Sequence, residues 1–269
     1  MRPNALAAAW VSGRATTNGW LSIPGGVSAE IMARQGFDSV TIDMQHGMID
    51  YQDALAMLQA ISATSVVPLV RVPWLEPSIA MKVLDSGALG VIAPMVNSAA
   101  DAHALVQACR YPPIGYRSVG PTRARFYLDD YLHEANGSVL VIAQIETKEA
   151  VANIEDILNV PGLDAVYIGP ADLALTLGRE AKVDHEDPVV LSAIGTVLEA
   201  TRRRGIPAGI HCSSAGYARR MTDDGFVMVT LTSDARLLET AAANAVREFR
   251  ETPSRSAVGH GNGEWEGTP

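Results

Sequence analysis

The sequence predicts a single (β/α)8 TIM barrel, and three observations predict it. The chain has 269 residues, close to the roughly 250 usual for one such barrel. Short apolar runs alternate with helical segments along its length, and those runs number eight. Taken in order, the expected strands are 20–23, 39–42, 66–70, 90–93, 139–145, 165–168, 208–210 and 226–230, each a short β-branched or apolar run followed by a polar turn.

Helical segments are expected between them at 27–35, 51–63, 77–85, 98–109, 147–158, 188–204, 214–223 and 233–250. Gly36, Gly87 and Gly205 sit where helices stop, and Asp50, Ser98 and Ser233 are placed to accept the first backbone N–H groups. Such alternation implies parallel strands joined by right-handed crossovers, and eight units can close on themselves. An open doubly wound sheet is the fold alternative, but the first turn, Ile23-Pro24-Gly25-Gly26, lacks the spaced glycines of a dinucleotide site. Two stretches break the rhythm. Residues 111–137 form an Arg- and Tyr-rich excursion suited to a lid, a site or a subunit contact. Residues 1–252 are expected to form the barrel domain and the Gly-rich 253–269 a flexible tail.

Composition narrows the function. Lys+Arg total 21 against Asp+Glu 30, a net charge of −9, so nucleic acid and anionic membranes are poor partners. The only two cysteines, Cys109 and Cys212, offer neither a disulfide framework nor a thiolate metal site, which points to a reducing cytoplasm. The first twenty residues are broken by Ser, Gly and Arg and do not read as a cleaved signal, and no apolar run approaches the roughly 18 residues that would span a bilayer.

In a parallel barrel the functional rim is where strands end and helices begin. That rule collects Asp43-Met44-Gln45-His46-Gly47 after strand two, Arg71 after strand three, Glu146 after strand five and Gly169-Pro170-Ala171-Asp172 after strand six. Glu146 and Asp172 end neighbouring strands, and two carboxylates without His or Cys suit a hard cation such as Mg²⁺ or Mn²⁺. The alternative is that each acid merely decorates a helix N-terminus, as Pro170 at a first helical position allows for Asp172. His46 is either a general base in a Gly-terminated turn or a loop histidine without a role. Arg71 either faces an anion or forms a structural ion pair with Asp43 or Asp85. The three lysines, Lys82, Lys148 and Lys182, fall in helices and loops. None is a strand lysine fit for a Schiff base, so a carbanion formed here would need a metal.

These residues resemble the class II pyruvate aldolases of the HpcH/HpaI type, which include 4-hydroxy-2-oxoheptanedioate and 2-dehydro-3-deoxyglucarate aldolases. The likeness spans about Trp20 to Glu248. It is carried by Gly36-Phe37-Asp38 leading to Ile42-Asp43-Met44-Gln45-His46, by Val70-Arg71-Val72-Pro73, by Tyr111-Pro112-Pro113-Ile114-Gly115-Tyr116-Arg117-Ser118-Val119-Gly120, by Gln144-Ile145-Glu146-Thr147, and by Tyr167-Ile168-Gly169-Pro170-Ala171-Asp172-Leu173.

The resemblance implies reversible aldol cleavage of 4-hydroxy-2-oxo acids to pyruvate or hydroxypyruvate and an aldehyde. By it, Glu146 and Asp172 would bind a divalent metal, Mg²⁺ or Mn²⁺ with Co²⁺ or Zn²⁺ as substitutes. Arg71 would face the keto oxygen, the backbone around Gly169, Pro170 and Ala171 would hold the carboxylate, and Gln144 would position a water. His46, oriented by Asp85 or Asp43, would relay protons. Arg125 would act from the lid, lent by a neighbouring subunit, whereas Arg123 receives no role. A homo-hexamer built as a trimer of dimers is implied, with the C-terminal helix around 237–246 exchanged between subunits. Two features depart from the pattern: Gln45 stands where many relatives carry Glu, and strand seven ends Ile210-His211-Cys212, which bears on acceptor choice. Two rivals remain at this stage, an acyl-CoA lyase of the citryl- or malyl-CoA type and a non-catalytic keto-acid-binding barrel.

Overall fold

The structure, a computed structural model, describes residues 4–127 and 130–251, so the tail expected at 253–269 lies outside the described residues. Eight parallel strands close in the order β1 to β8: Thr16–Leu21, Ser39–Asp43, Val67–Arg71, Gly90–Ala93, Leu140–Ile145, Ala165–Ile168, Ala208–His211 and Met228–Ser233. The ring closes through β1 on β8, with a register shift between Asn18 and Gly19.

Side chains alternate along each strand, and this sorts the sequence into two cores. Outward positions such as Val40, Ile42, Val70, Val91, Val141 and Ile168 pack under the helices in one large cluster. Inward positions such as Val67, Leu69, Ile92, Leu140, Ile142, Ala165 and Met228 fill the barrel interior. A helix that the sequence reading missed, α1 (Ala5–Val11), joins the interior cluster through Leu6, Ala9 and Trp10. Asn4 caps it, accepting from Leu6 N–H and donating to the Leu89 and Ser138 carbonyls. On β2, β3 and β5 the next inward positions are the polar Asp43, Arg71 and Gln144, and they supply part of the site.

The first strand corrects the expectation of 20–23. Its start is polar, with Thr16 and Asn18 buried, so an apolar-run criterion slides past it. Asn18 is satisfied instead by Thr230, Ser39 and Thr41 from the adjacent strands β8 and β2. Strand β8 likewise runs on to Ser233, beyond the expected 230.

The helices after β1 to β4 are α2 (Gly26–Ala33), α3 (Tyr51–Ile61), α4 (Pro77–Asp85) and α5 (Ala99–Cys109). Asp50 and Asp53 form a reciprocal cap on α3, and Ser98 caps α5. The excursion contains a 3₁₀ turn (Ala124–Phe126) and α6 (Tyr131–Ser138). The helix expected at 147–158 is two, α7 (Lys148–Ala152) and α8 (Ile154–Leu158), broken at Asn153, whose amide donates to the Asn97 carbonyl. Then follow α9 (Pro170–Thr176), α10 (Pro188–Arg204), α11 (Ala215–Asp224) and α12 (Asp234–Glu251).

The compact barrel unit ends at Ala235, and the chain from Arg236 forms a second unit. In that unit α12 carries Leu237, Leu238, Val246 and Phe249, all exposed. No described helix is long and apolar enough to cross a membrane.

Candidate active site

A cavity of about 270 Å³ opens at the C-terminal ends of the strands. Asp43, Arg71, Gln144, Gly169, Pro170, Ala171 and Asp172, seven residues singled out in the sequence, line it. Period-two alternation explains how they meet: Asp43 ends the inward series Ser39, Thr41, Asp43; Arg71 follows Val67 and Leu69; Gln144 follows Leu140 and Ile142.

Asp43 organises one wall. Its carboxylate accepts Arg71 Nε at 2.9 Å and Nη2 at 2.7 Å, Trp20 Nε1 at 3.1 Å, and the backbone N–H groups of Gln45 and His46. Burial works against its charge, but the Arg71 hydrogen bonds and positive charge, with Trp20 and His46, hold its carboxyl below the usual range. Gly47 completes the turn because a Cβ there would collide with the Asp43 carbonyl oxygen. Of the two readings of Arg71, the structure shows the ion pair with Asp43. Its ion pair with Asp43 fixes the guanidinium plane, 4.8 Å above the Trp20 ring, while Nη1 keeps no protein partner among the described residues.

Glu146 does not line the cavity itself but is buried against Gln144 and Gly169, which do. One carboxylate oxygen accepts Met95 N–H at 2.8 Å and the other accepts Gln144 Nε2. Met95 takes a left-handed φ of 57° to present that amide, a conformation that costs a non-glycine residue roughly 1 kcal/mol or more. Burial pushes the Glu146 carboxyl upward, Met95 and Gln144 oppose it, the charge of Asp172 adds to the rise, and Arg71 counters it, for a net upward shift. The two carboxylates therefore sense each other.

Beside them, Gln144 Oε1 is buried with no hydrogen-bond partner among the described residues, an acceptor in need of a donor. Gly169 leaves the space open: a Cβ there would stand 2.7 Å from Glu146 Oε2. The described residues contain no group of three or more His, Cys, Asp or Glu side chains able to hold a metal. A tetrahedral zinc cage does not fit this donor set. A hard cation that takes two carboxylates and completes its shell with water and substrate oxygens does.

His46, Asp85 and Arg125 do not line this cavity. The His46 ring is exposed and has no hydrogen-bond partner among the described residues. Both residues expected to orient it are engaged elsewhere: the Asp43 carboxylate is filled by its own donors, and Asp85 accepts Arg117 Nη2 at 2.7 Å. Arg117 is buried between Tyr111 and Tyr131 and pins the excursion to the end of α4. Arg123 has a comparable role, donating to the Ser86 and Leu58 carbonyls and to Tyr127. Arg125 stands exposed over Phe126. The sequence reading missed Trp20, Tyr167 and the full part of His211 in the cavity wall. Stepping two residues back from Gly169 and Ser22 would have found the first two.

A family model described as HpcH/HpaI aldolase/citrate lyase matches residues 20–241. The chain belongs to this family.

Relatives agree along the whole barrel. The hydroxypyruvate/pyruvate aldolase of Rhizorhabdus wittichii is 45% identical over 248 residues, covering 92% of this chain and 99% of that protein. The 4-hydroxy-2-oxo-heptane-1,7-dioate aldolase of Salmonella arizonae is 38% identical over 250 residues, covering 91% and 94%. A solved structure of a Burkholderia cenocepacia family member superposes with a TM-score of 0.86 at 33% identity, covering 92% of this chain and 99% of that one.

Proposed function

We propose that this HpcH/HpaI family enzyme is a divalent-metal-dependent aldolase that cleaves and forms 4-hydroxy-2-oxo acids, with pyruvate or hydroxypyruvate as the keto-acid partner and a short aldehyde as the other. One observation carries the reading: one cavity holds Asp172 and an Arg71 kept in plane by Asp43, and the Glu146 carboxylate, hydrogen-bonded to Gln144 of the cavity lining, feels the charge of Asp172. The names of the Rhizorhabdus and Salmonella relatives support the substrate class.

Glu146 and Asp172 would hold the cation, Mg²⁺ or Mn²⁺ by their all-oxygen chemistry, and bound there it would withdraw electrons from the keto acid so that a proton can leave the carbon next to the keto group. Arg71 Nη1 faces the keto oxygen and favours its negative charge as the C–C bond breaks. Gly169 N–H is already bound to the Ile145 carbonyl and Pro170 has no N–H. The substrate carboxylate is therefore left to the N–H groups of Ala171 and Asp172 in the first turn of α9. Gln144 Oε1 orients a water beside the carboxylates. His46 exchanges the proton at the aldehyde oxygen from the loop after β2, and Asp85 serves the excursion rather than the imidazole. Arg125 would reach a cavity only in an assembly. A hexamer, with the exposed apolar face of α12 exchanged between copies, would give Leu238 and Phe249 a partner. The cytosol suits the two buried free cysteines.

The test removes metal with EDTA and supplies pyruvate or hydroxypyruvate with short aldehydes and no CoA. Turnover that disappears on chelation and returns with Mg²⁺ or Mn²⁺ is expected. No turnover with any donor would overturn the reading in favour of a binding barrel, and a requirement for CoA thioesters would favour the lyase. Against the latter, the lysines lie away from the cavity, Lys82 over Tyr51 and Lys182 on Glu180, and Arg71 is the one cation in the described wall.

A further inference from the structure

A chain of polar side chains runs through the barrel interior and ends at the cavity wall. Ser39 Oγ and Thr41 Oγ1 both meet Asn18 Oδ1, at 2.8 and 3.0 Å. Asn18 Nδ2 meets Thr230 Oγ1 at 3.0 Å, Thr230 Oγ1 meets the Tyr167 hydroxyl at 2.5 Å, and that hydroxyl meets His211 Nδ1 at 3.0 Å. Asn18, Ser39, Thr41, Thr230 and Tyr167 are all buried, so each polar hydrogen among them needs an acceptor.

Counting those hydrogens fixes the direction of the chain. Were the Asn18 amide reversed, its NH₂ would fill Ser39 and Thr41 and leave both hydroxyl protons without an acceptor among the described residues. In the satisfied arrangement, both hydroxyls donate to Oδ1 and the amide nitrogen donates to Thr230. The Thr230 proton then has one acceptor in reach, the Tyr167 oxygen, and the Tyr167 proton goes on to His211 Nδ1. An imidazole that accepts at Nδ1 and is neutral carries its proton on Nε2. Burial, with the nearby charge of Arg71, lowers the His211 pKa to about 4, so the ring is neutral near pH 7. Trp20 packs edge-on against the imidazole with centroids 4.7 Å apart, and Tyr167 stacks on Trp20 at 5.8 Å. The ring is thus held in orientation, with Nδ1 turned to the interior and the opposite edge on the cavity that His211 lines. Among the described residues, Nε2 has no protein partner.

We infer that His211 presents an Nε2–H donor to the acceptor aldehyde and selects aldehydes that carry an oxygen on the carbon beside the carbonyl. Position favours the acceptor over the keto acid. The groups that hold the keto acid come from β3, β5 and β6, whereas His211 shares the other arc of the rim with Ser22, Ser233 and Trp20 from β8 and β1. Tyr167, Thr230 and Asn18 are positioning residues that act through the imidazole. This specificity rests on the aldolase reading above.

The experiment compares glycolaldehyde with its near-isostere propanal, each with pyruvate, by kcat/KM in wild type, His211→Leu, His211→Gln and Tyr167→Phe. Wild type should prefer glycolaldehyde, and His211→Leu should cut that preference by roughly three- to tenfold, the value of one neutral hydrogen bond. His211→Gln keeps an N–H at similar reach and should restore part of it. Long-range ¹H–¹⁵N NMR of histidine-labelled enzyme, assigned with His211→Leu, should show the Nε2–H tautomer in wild type and its loss of dominance in Tyr167→Phe. An Nδ1–H tautomer in wild type, or an unchanged aldehyde ratio in His211→Leu, overturns the inference. So does a change confined to the hydroxypyruvate-to-pyruvate ratio, which would put the recognised oxygen on the keto acid. If wild type condenses neither aldehyde, the aldolase reading fails instead.

Discussion

Gly169→Ala probes the proposed cation site without replacing a carboxylate. The Gly169 backbone has φ −99° and ψ 91°, which an L residue adopts without strain, so the whole effect comes from one added methyl. That Cβ would stand 2.7 Å from Glu146 Oε2, 2.9 Å from Gln144 Nε2 and 3.0 Å from Glu146 Cβ. Going from 2.7 to an ordinary 3.4 Å, the carboxylate oxygen must retreat by about 0.7 Å. Overpacking of this kind costs roughly 1–3 kcal/mol, which for a barrel of this size lowers Tm by about 2–12 °C. The larger effect falls on function, because a displaced ligand and its hydrogen-bond partner cost roughly 10- to 100-fold in metal affinity. Mn²⁺ titration followed by electron paramagnetic resonance, alongside a thermal melt, measures both. A variant that melts lower yet binds Mn²⁺ as tightly as wild type would refute the argument that Gly169 keeps the Glu146 carboxylate in place.

Three further outcomes are expected. Glu146→Ala or Asp172→Ala removes both metal-induced stabilisation and exchange of the pyruvate methyl protons, checked by thermal shift and NMR; retained exchange refutes the ligand assignment. His46→Ala leaves Mn²⁺ binding unchanged and slows C–C cleavage about 10²- to 10⁴-fold, and an unchanged rate reduces His46 to a spectator. Asp43→Asn breaks a buried ion pair, for a loss of roughly 3–5 kcal/mol in denaturant unfolding. Because the folded Asp43 pKa lies below its unfolded value of 3.8, its ionised form contributes stability that is present above that value and lost as pH falls through the folded one. The difference between wild type and variant should therefore narrow below about pH 4; a gap that stays constant down to pH 2 would contradict the shift.

The sequence by itself determined the barrel and most of the cavity wall. Strand and helix periods differ, and a strand end in a parallel barrel has one place to go, so Asp43, Arg71, Glu146 and the 169–172 turn were legible as one rim, although Gln144, named only through the family likeness, lines the cavity in place of Glu146. The family likeness added the chemistry. Polar inward positions were harder to read: Thr16 and Asn18 look like loop residues until Thr230 and Ser39, distant in sequence, satisfy them inside the barrel. Tertiary structure alone decided how donors are shared. Asp85 and Arg117 lie 32 positions apart and Asp43 has five hydrogen-bond donors around it, so which acid serves which base depends on distances no spacing encodes. The same holds for the proton on His211. Its place is set by a file of side chains from five strands, and only the closed ring brings them into line.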